Sequence, residues 1–212
     1  MLSTLSLVIG DAGQGGSILT EYFLLVISAI FVSNILLMQY LGNCPFLGCS
    51  KNISLAIGMG SAVVFVVTLS TALTWLVGTY FLNALDIAYL QTIVFIVVIA
   101  ALVQFVETFL KKMLPPLYQA MGIFLPLITT NCCVLGLAII CQTREDMVAS
   151  LVKTIVFAFA SAVGFSFALL LMAGIRERIA ISRIPKPLQG TAIGLVLAGM
   201  MSLAFFAFQK MI

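Results

Sequence analysis

The sequence predicts an all-α integral membrane protein. Six transmembrane helices form a 3+3 inverted repeat, with broken or re-entrant segments at two Asn-Cys loops. Three observations carry this reading. The 212 residues are 63% hydrophobic and only 8% charged, whereas a water-soluble domain needs roughly a quarter of its residues charged. Long apolar runs recur at a length that matches the about 20 residues needed to cross hydrocarbon. Finally, the pattern N-C-x-x-L-G occurs twice, as Asn43-Cys44-Pro45-Phe46-Leu47-Gly48 and as Asn131-Cys132-Cys133-Val134-Leu135-Gly136.

Taken in order, charges and helix breakers delimit spans near Glu21–Leu41, Ile53–Leu82, Tyr89–Phe109, Leu117–Cys141, Val148–Ile175 and Leu188–Phe208. The first residues lack a basic start and a small-residue cleavage site, so they do not read as a removable signal peptide. The expected organisation is an N-terminal extension over 1–19, a first three-helix repeat over 20–114 and a second, inverted one over 115–212. Halves with an odd number of spans must face opposite ways, about an axis in the membrane plane.

Basic residues near span ends tend to stay on the cytoplasmic side. With both termini outside, the inner loops hold Lys51, Lys111, Lys112, Arg176, Arg178, Arg183 and Lys186, and the outer side keeps Arg144, Lys153 and Lys210. The expected topology is therefore N-out and C-out. Trp75 and Tyr80 are placed to anchor the outer end of the second span.

Composition also excludes functions. With no His in the chain, imidazole-based triads, haem ligation and zinc sites are out. Ten Lys and Arg against seven Asp and Glu, thinly spread, make no nucleic-acid groove. Five Cys, all in or beside apolar runs, do not form a secreted disulfide scaffold.

The repeated Asn-Cys strings are the candidate site. Segment 122–140 is uncharged, with Cys132 near its centre and Pro126 and Gly136 on either side to loosen the helix. A straight helix from Glu21 would have crossed before reaching Cys44, so a broken path through Gly42, Pro45 and Gly48 is expected there. Such backbone is tolerated at depth only when buried in protein or lining a cavity. One membrane Cys is usually an apolar filler. Asn is costly in lipid, however, and setting it beside Cys twice supplies amide donors where a thiolate needs them.

A disulfide between the two needs thiols that reach water or a partner thiol. An iron–sulfur cluster takes four thiolates, and Cys44 and Cys132 supply two about a pseudo-two-fold axis. The others come from Cys49, Cys133 or Cys141, or from a second, homologous subunit. A small inverted-repeat ion or solute transporter without a redox centre is the competing class; it should place charged or hydroxyl-rich groups at the breaks. A scaffold without a cofactor leaves the repeated Cys unexplained.

The strings YLGNCPFLGCSK, LVQFVET, GIFLPLITTNCCVLG, SAVGFS and AGIRERI together resemble the family that contains the A-type membrane subunit of the Rnf electron transport complex and, less closely, the E-type subunit of the sodium-translocating NADH:quinone reductase. The resemblance covers about residues 20–212. The chain departs from it in the extension before Thr20 and in Cys133, where Ala is more usual. The resemblance implies a subunit of a redox-driven translocase, not catalytic alone, in a prokaryotic cytoplasmic membrane.

It further implies that the two Asn-Cys loops meet their counterparts in a homologous E-type membrane subunit of the complex. Together they hold an intramembrane [2Fe-2S] cluster, with Cys44 and Cys132 as ligands and Asn43 and Asn131 beside them. Electrons would pass between a ferredoxin-facing iron–sulfur subunit inside and a covalent-flavin subunit outside, coupled to Na⁺ or H⁺ export. No S-G-A-T motif for covalent flavin occurs, so no flavin is expected in this chain.

Elsewhere in the spans, Glu107 is a carboxylate inside an apolar run, and Gln104 lies one turn before it on the same face. An intramembrane acid is an ion-site candidate, although Lys111 follows at i+4 as a pairing partner. Arg176-Glu177-Arg178 and Lys186 read as an inner basic loop. Gly58, Gly60, Ser61, Ser161, Gly164 and Ser166 read as close-packing positions between helices.

Overall fold

The computed structural model describes residues 18–32, 34–82, 90–113, 127–128, 130–144, 150–181 and 190–211. Among these the chain is helical throughout its regular elements. In order they are α1 (Ile18–Ile27), a π-helical turn (Ser28–Val32), α2 (Ile35–Gln39), α3 (Asn43–Cys49), α4 (Ile53–Val77), a second π-helical turn (Gly78–Leu82), α5 (Gln91–Met113), α6 (Cys132–Thr143), α7 (Leu151–Ala180) and α8 (Thr191–Met211). Segments Ile53–Tyr80, Gln91–Thr108 and Leu151–Ala180 are long and apolar enough to cross a bilayer. Many large apolar side chains stay exposed, including Phe65, Phe105 and Leu203. That pattern suits a surface facing lipid, where exposing such groups carries no hydrophobic cost.

α7 is the centre of the packing, and its most extensive partner is α4. Small residues let the two backbones approach. The Ser166 hydroxyl lies 3.0 Å from both the Gly60 and Ala162 carbonyl oxygens, so its one hydrogen is shared between a bond across to α4 and one within α7, and a Cβ on Gly60 would stand 3.1 Å from Ser166 Cβ. On the neighbouring face of α7, a Cβ on Gly164 would stand 3.1 Å from both Cα and O of Ile30. The close-packing reading therefore holds for Gly60, Gly164 and Ser166, and Ser161 is buried. It fails for Gly58, whose surroundings are open, and for exposed Ser61, which bonds back to the Gly58 carbonyl within its own helix.

Three boundaries differ from the sequence reading. The span over Glu21–Leu41 is not one helix; it widens at Ser28–Val32, breaks at Asn34 and resumes as the short α2. The break before Cys44 falls at Tyr40 (φ 54) and Gly42 (φ 88), while Pro45 and Gly48 lie inside α3. Pro45 is the third residue of that helix, where the missing N–H would have had no intrahelical acceptor. Arg176-Glu177-Arg178 is not a loop but the end of α7, where basic side chains complement the carbonyl end of the helix dipole. Gly136 lies inside regular α6. Pro126, Arg183, Lys186, the 114/115 boundary between halves and most of the 1–19 extension lie outside the described residues.

Candidate functional site

The first Asn-Cys loop is set up by Asn34. Its side chain is fully buried, and its Oδ1 accepts from Leu36 N at 3.1 Å, capping α2. Its Nδ2 donates to Gly164 O at 2.8 Å and to Ile30 O at 3.3 Å, pinning the break against α7. α2 then ends at Tyr40 in the left-handed region, its N–H returning to Ile35 O. Gly42, also in the left-handed region, caps the start of α3, and Phe46 N closes on Gly42 O at 3.3 Å. Cys44 is the second residue of α3.

At the far end of α3, Arg176 Nη1 reaches across from α7 to Leu47 O at 2.9 Å and Ser50 Oγ at 2.7 Å. The cation thus satisfies a carbonyl that the short helix leaves open.

The second loop is capped by its own motif residue. Asn131 is 3% exposed, and its Oδ1 accepts from Cys133 N at 3.0 Å, so α6 starts at Cys132. Its Nδ2 is buried without a partner among the described residues. Asn43, by contrast, is the first residue of α3 and is half-buried, and the capping position there belongs to Gly42. The two motif asparagines therefore do different jobs.

The structure brings the two loops into contact. The Gly42 N–H donates to Cys132 Sγ at 2.9 Å. A Cβ on Gly42 would stand 2.7 Å from Phe165 Cε2, 3.1 Å from Asn131 Oδ1 and 3.3 Å from Cys133 Cβ, so only glycine fits. The contact is also reciprocal. Leu41, just before the first motif, lies where a Cβ of Gly136 in the second motif would be; Leu127, before the second, lies 3.7 Å from the Cβ position of Gly48 in the first.

The five thiols divide into two classes. Cys44 and Cys132 are exposed, one on each of the adjoining loops, whereas Cys49, Cys133 and Cys141 are buried. Adjacent residues on a helix point about 100° apart, which is how Cys132 faces outward while Cys133 turns into the core beside Gly42. Among the described residues no group of three Cys, Asp or Glu is arranged to hold a metal ion. Within those residues the chain therefore offers two outward thiols and no complete ligand set.

The set fits half of a thiolate-bound centre. Cys132 starts a helix of 12 residues, where the dipole favours negative charge. The Gly42 N–H already points at its sulfur.

Glu107 and Gln104 lie together on α5, half-buried and exposed respectively. Neither belongs to the paired loops. Residue-by-residue reading missed Asn34, Gly42 as a donor and Arg176 as the clamp on α3. The signal for Asn34 was available, because an amide in an uncharged apolar run needs hydrogen-bond partners.

A family model described as Rnf-Nqr subunit, membrane protein, matches residues 22–212. The A-type subunit of the ion-translocating oxidoreductase complex of Photorhabdus laumondii is 46% identical over 194 residues, covering 92% of this chain and 99% of that protein. The subunits of the same name from Alcanivorax borkumensis and Aliivibrio fischeri are each 48% identical with the same coverage. By its length of match and level of identity, the chain belongs to the Rnf-Nqr family of membrane subunits.

Proposed function

We propose that this chain is the A-type subunit of an ion-translocating ferredoxin:NAD oxidoreductase and contributes Cys44 and Cys132 as half of the ligands to an intramembrane [2Fe-2S] cluster. The other two thiolates come from a homologous E-type subunit inserted the opposite way. In this reading the chain has six spans in two inverted halves, with both termini outside a prokaryotic cytoplasmic membrane. It works with iron–sulfur and flavin-bearing subunits of the complex to drive Na⁺ or H⁺ transport.

The carrying observation is the pair of outward thiols on loops joined by the bond from Gly42 N–H to Cys132 Sγ, while the other three thiols face the core. When bound there, the cluster supplies one-electron transfer at a depth that neither aqueous side reaches directly. The chain's own residues hold the site. Asn131 fixes the start of α6, and with it the direction of Cys132. Asn34 and Arg176 hold the two ends of the α2–α3 segment that carries Cys44. The Gly42 N–H and the N-terminus of α6 offset negative charge on sulfur, which raises the potential of a bound centre.

The test is substitution in the chain co-expressed with its homologous partner, with the electron-spin spectrum of the reduced protein as readout. Cys44→Ser and Cys132→Ser should each abolish the intramembrane signal. Cys49→Ser and Cys141→Ser should retain it, and Cys133→Ala should be nearly neutral. A signal that survives loss of Cys44 or Cys132 sinks the ligand assignment.

A further inference from the structure

We infer that the outer face of α7 between Phe167 and Arg178 is a binding site for an anionic phospholipid. A shallow groove of about 520 Å³ runs along this face, lined among the described residues by Phe167, Leu170, Leu171, Gly174, Ile175 and Arg178. Their spacing of three and four residues sets them on one helical stripe, opposite the core residues Leu169, Met172 and Ala173. Gly174 forms the floor, since a Cβ there would meet nothing within 4 Å. The deep end is bounded by Phe167, whose ring stands edge-on to Phe31 with centroids 5.9 Å apart.

Length and charge identify the occupant. From Phe167 to Ile179 the stripe covers about 18 Å at the rise of an α-helix. One leaflet of hydrocarbon is about 15 Å deep, half of a bilayer's core. The groove thus spans about one leaflet, with the charged run Arg176-Glu177-Arg178 at its mouth, where an acyl chain would give way to a headgroup. At that end Arg176 is committed to Leu47 and Ser50, and Arg178 is exposed at the mouth. An acyl chain against Gly174 with a phosphate-bearing headgroup at the Arg178 guanidinium satisfies both ends. Arg pairs with phosphate in bidentate fashion, and a basic residue at the membrane surface favours anionic over zwitterionic lipid.

The test uses the full chain, purified from membranes with its co-expressed subunits, washed of lipid and offered phosphatidylglycerol or phosphatidylcholine. Retained lipid is read by native mass spectrometry. The wild type should retain phosphatidylglycerol preferentially. Arg178→Gln should reduce that preference about fivefold while leaving neutral lipid bound, the factor expected of one basic residue at a membrane surface. Gly174→Leu, which has room for its side chain, should lose both lipids.

Equal retention of the two lipids by the wild type, or an unchanged preference in Arg178→Gln, overturns the proposal. So does a Gly174→Leu chain that keeps its lipid but loses its co-purifying subunits, which would give the groove to a protein helix.

Discussion

Gly42 combines two demands that no other residue meets. Its φ of +88 is strained for any side chain, and the space where a Cβ would go is held by Phe165, Asn131 and Cys133. Its N–H is also the donor to Cys132 Sγ, so the residue that allows the loops to touch is the one that joins them. Gly42→Ala should therefore part the two loops and cost about 1–3 kcal/mol of stability. Gly58→Ala is the matched control, because Gly58 sits in regular helix with open space around it. That change should be neutral or slightly stabilising, since Ala loses less backbone entropy than Gly in a helix. Thermal unfolding of both variants in detergent, with iron content of the co-expressed complex, measures the contrast. Equal behaviour of the two would mean that the meeting of the loops does not depend on this residue.

The elements that position the site are short, and polar side chains inside an apolar core hold their ends. Asn34 makes three hydrogen bonds at the break before α2, one of them to the α7 backbone at Gly164. Asn34→Leu removes both the cap and the interhelical bond, and should lower stability by about 1–2 kcal/mol while loosening the first loop. Increased labelling of Cys49, buried at the end of α3, by a small maleimide in detergent is the expected readout; unchanged protection would show that Arg176 alone anchors the loop. The long helices α4, α5, α7 and α8 were legible in the sequence to within a few residues, because apolar length bounded by charge is a strong signal. The break at Asn34 was not, since one amide in an apolar run shows that partners are needed without showing where they are. Arg176 misled in the opposite direction: a charged triplet reads as a loop until the fold supplies the Leu47 carbonyl for it to bond. The thiols of the candidate site were picked out by the repeat itself. The contact between the loops was not, because it depends on how α4, α6 and α7 pack.

At the scale of the whole molecule, ligand number must be set against chain number. A [2Fe-2S] centre is closed by four ligands, as a rule four thiolates, and among the described residues this chain turns two outward and buries three. Recruiting Cys133 would mean rotating it out of the core beside Gly42, against the cap that Asn131 makes on its N–H. For the proposed cluster, two further thiolates would then come from outside. Within the chain a leucine before each Asn-Cys string lies against the glycine of the other, Leu41 at Gly136 and Leu127 at Gly48, and the proposed donor is a subunit that carries the same two strings. A related subunit with the same two loops, inserted upside down, would face Cys44 and Cys132 about an axis in the membrane plane. A second copy of this chain would have to sit in the same orientation as the first, so its loops could not face these about that axis. Expressed alone, the chain should therefore bind little iron, because metal affinity rests on a complete, preorganised ligand set. Co-expression with the homologous subunit should bring iron and acid-labile sulfide to two of each per heterodimer, the composition of one [2Fe-2S] cluster. Cys44 and Cys132, exposed in the isolated chain, should become protected from maleimide at the same step. A fully occupied cluster in a homodimer of this chain would sink the heterodimer model, whereas occupancy and thiol protection that appear together, and only on co-expression, would tie the outward thiols to the shared centre.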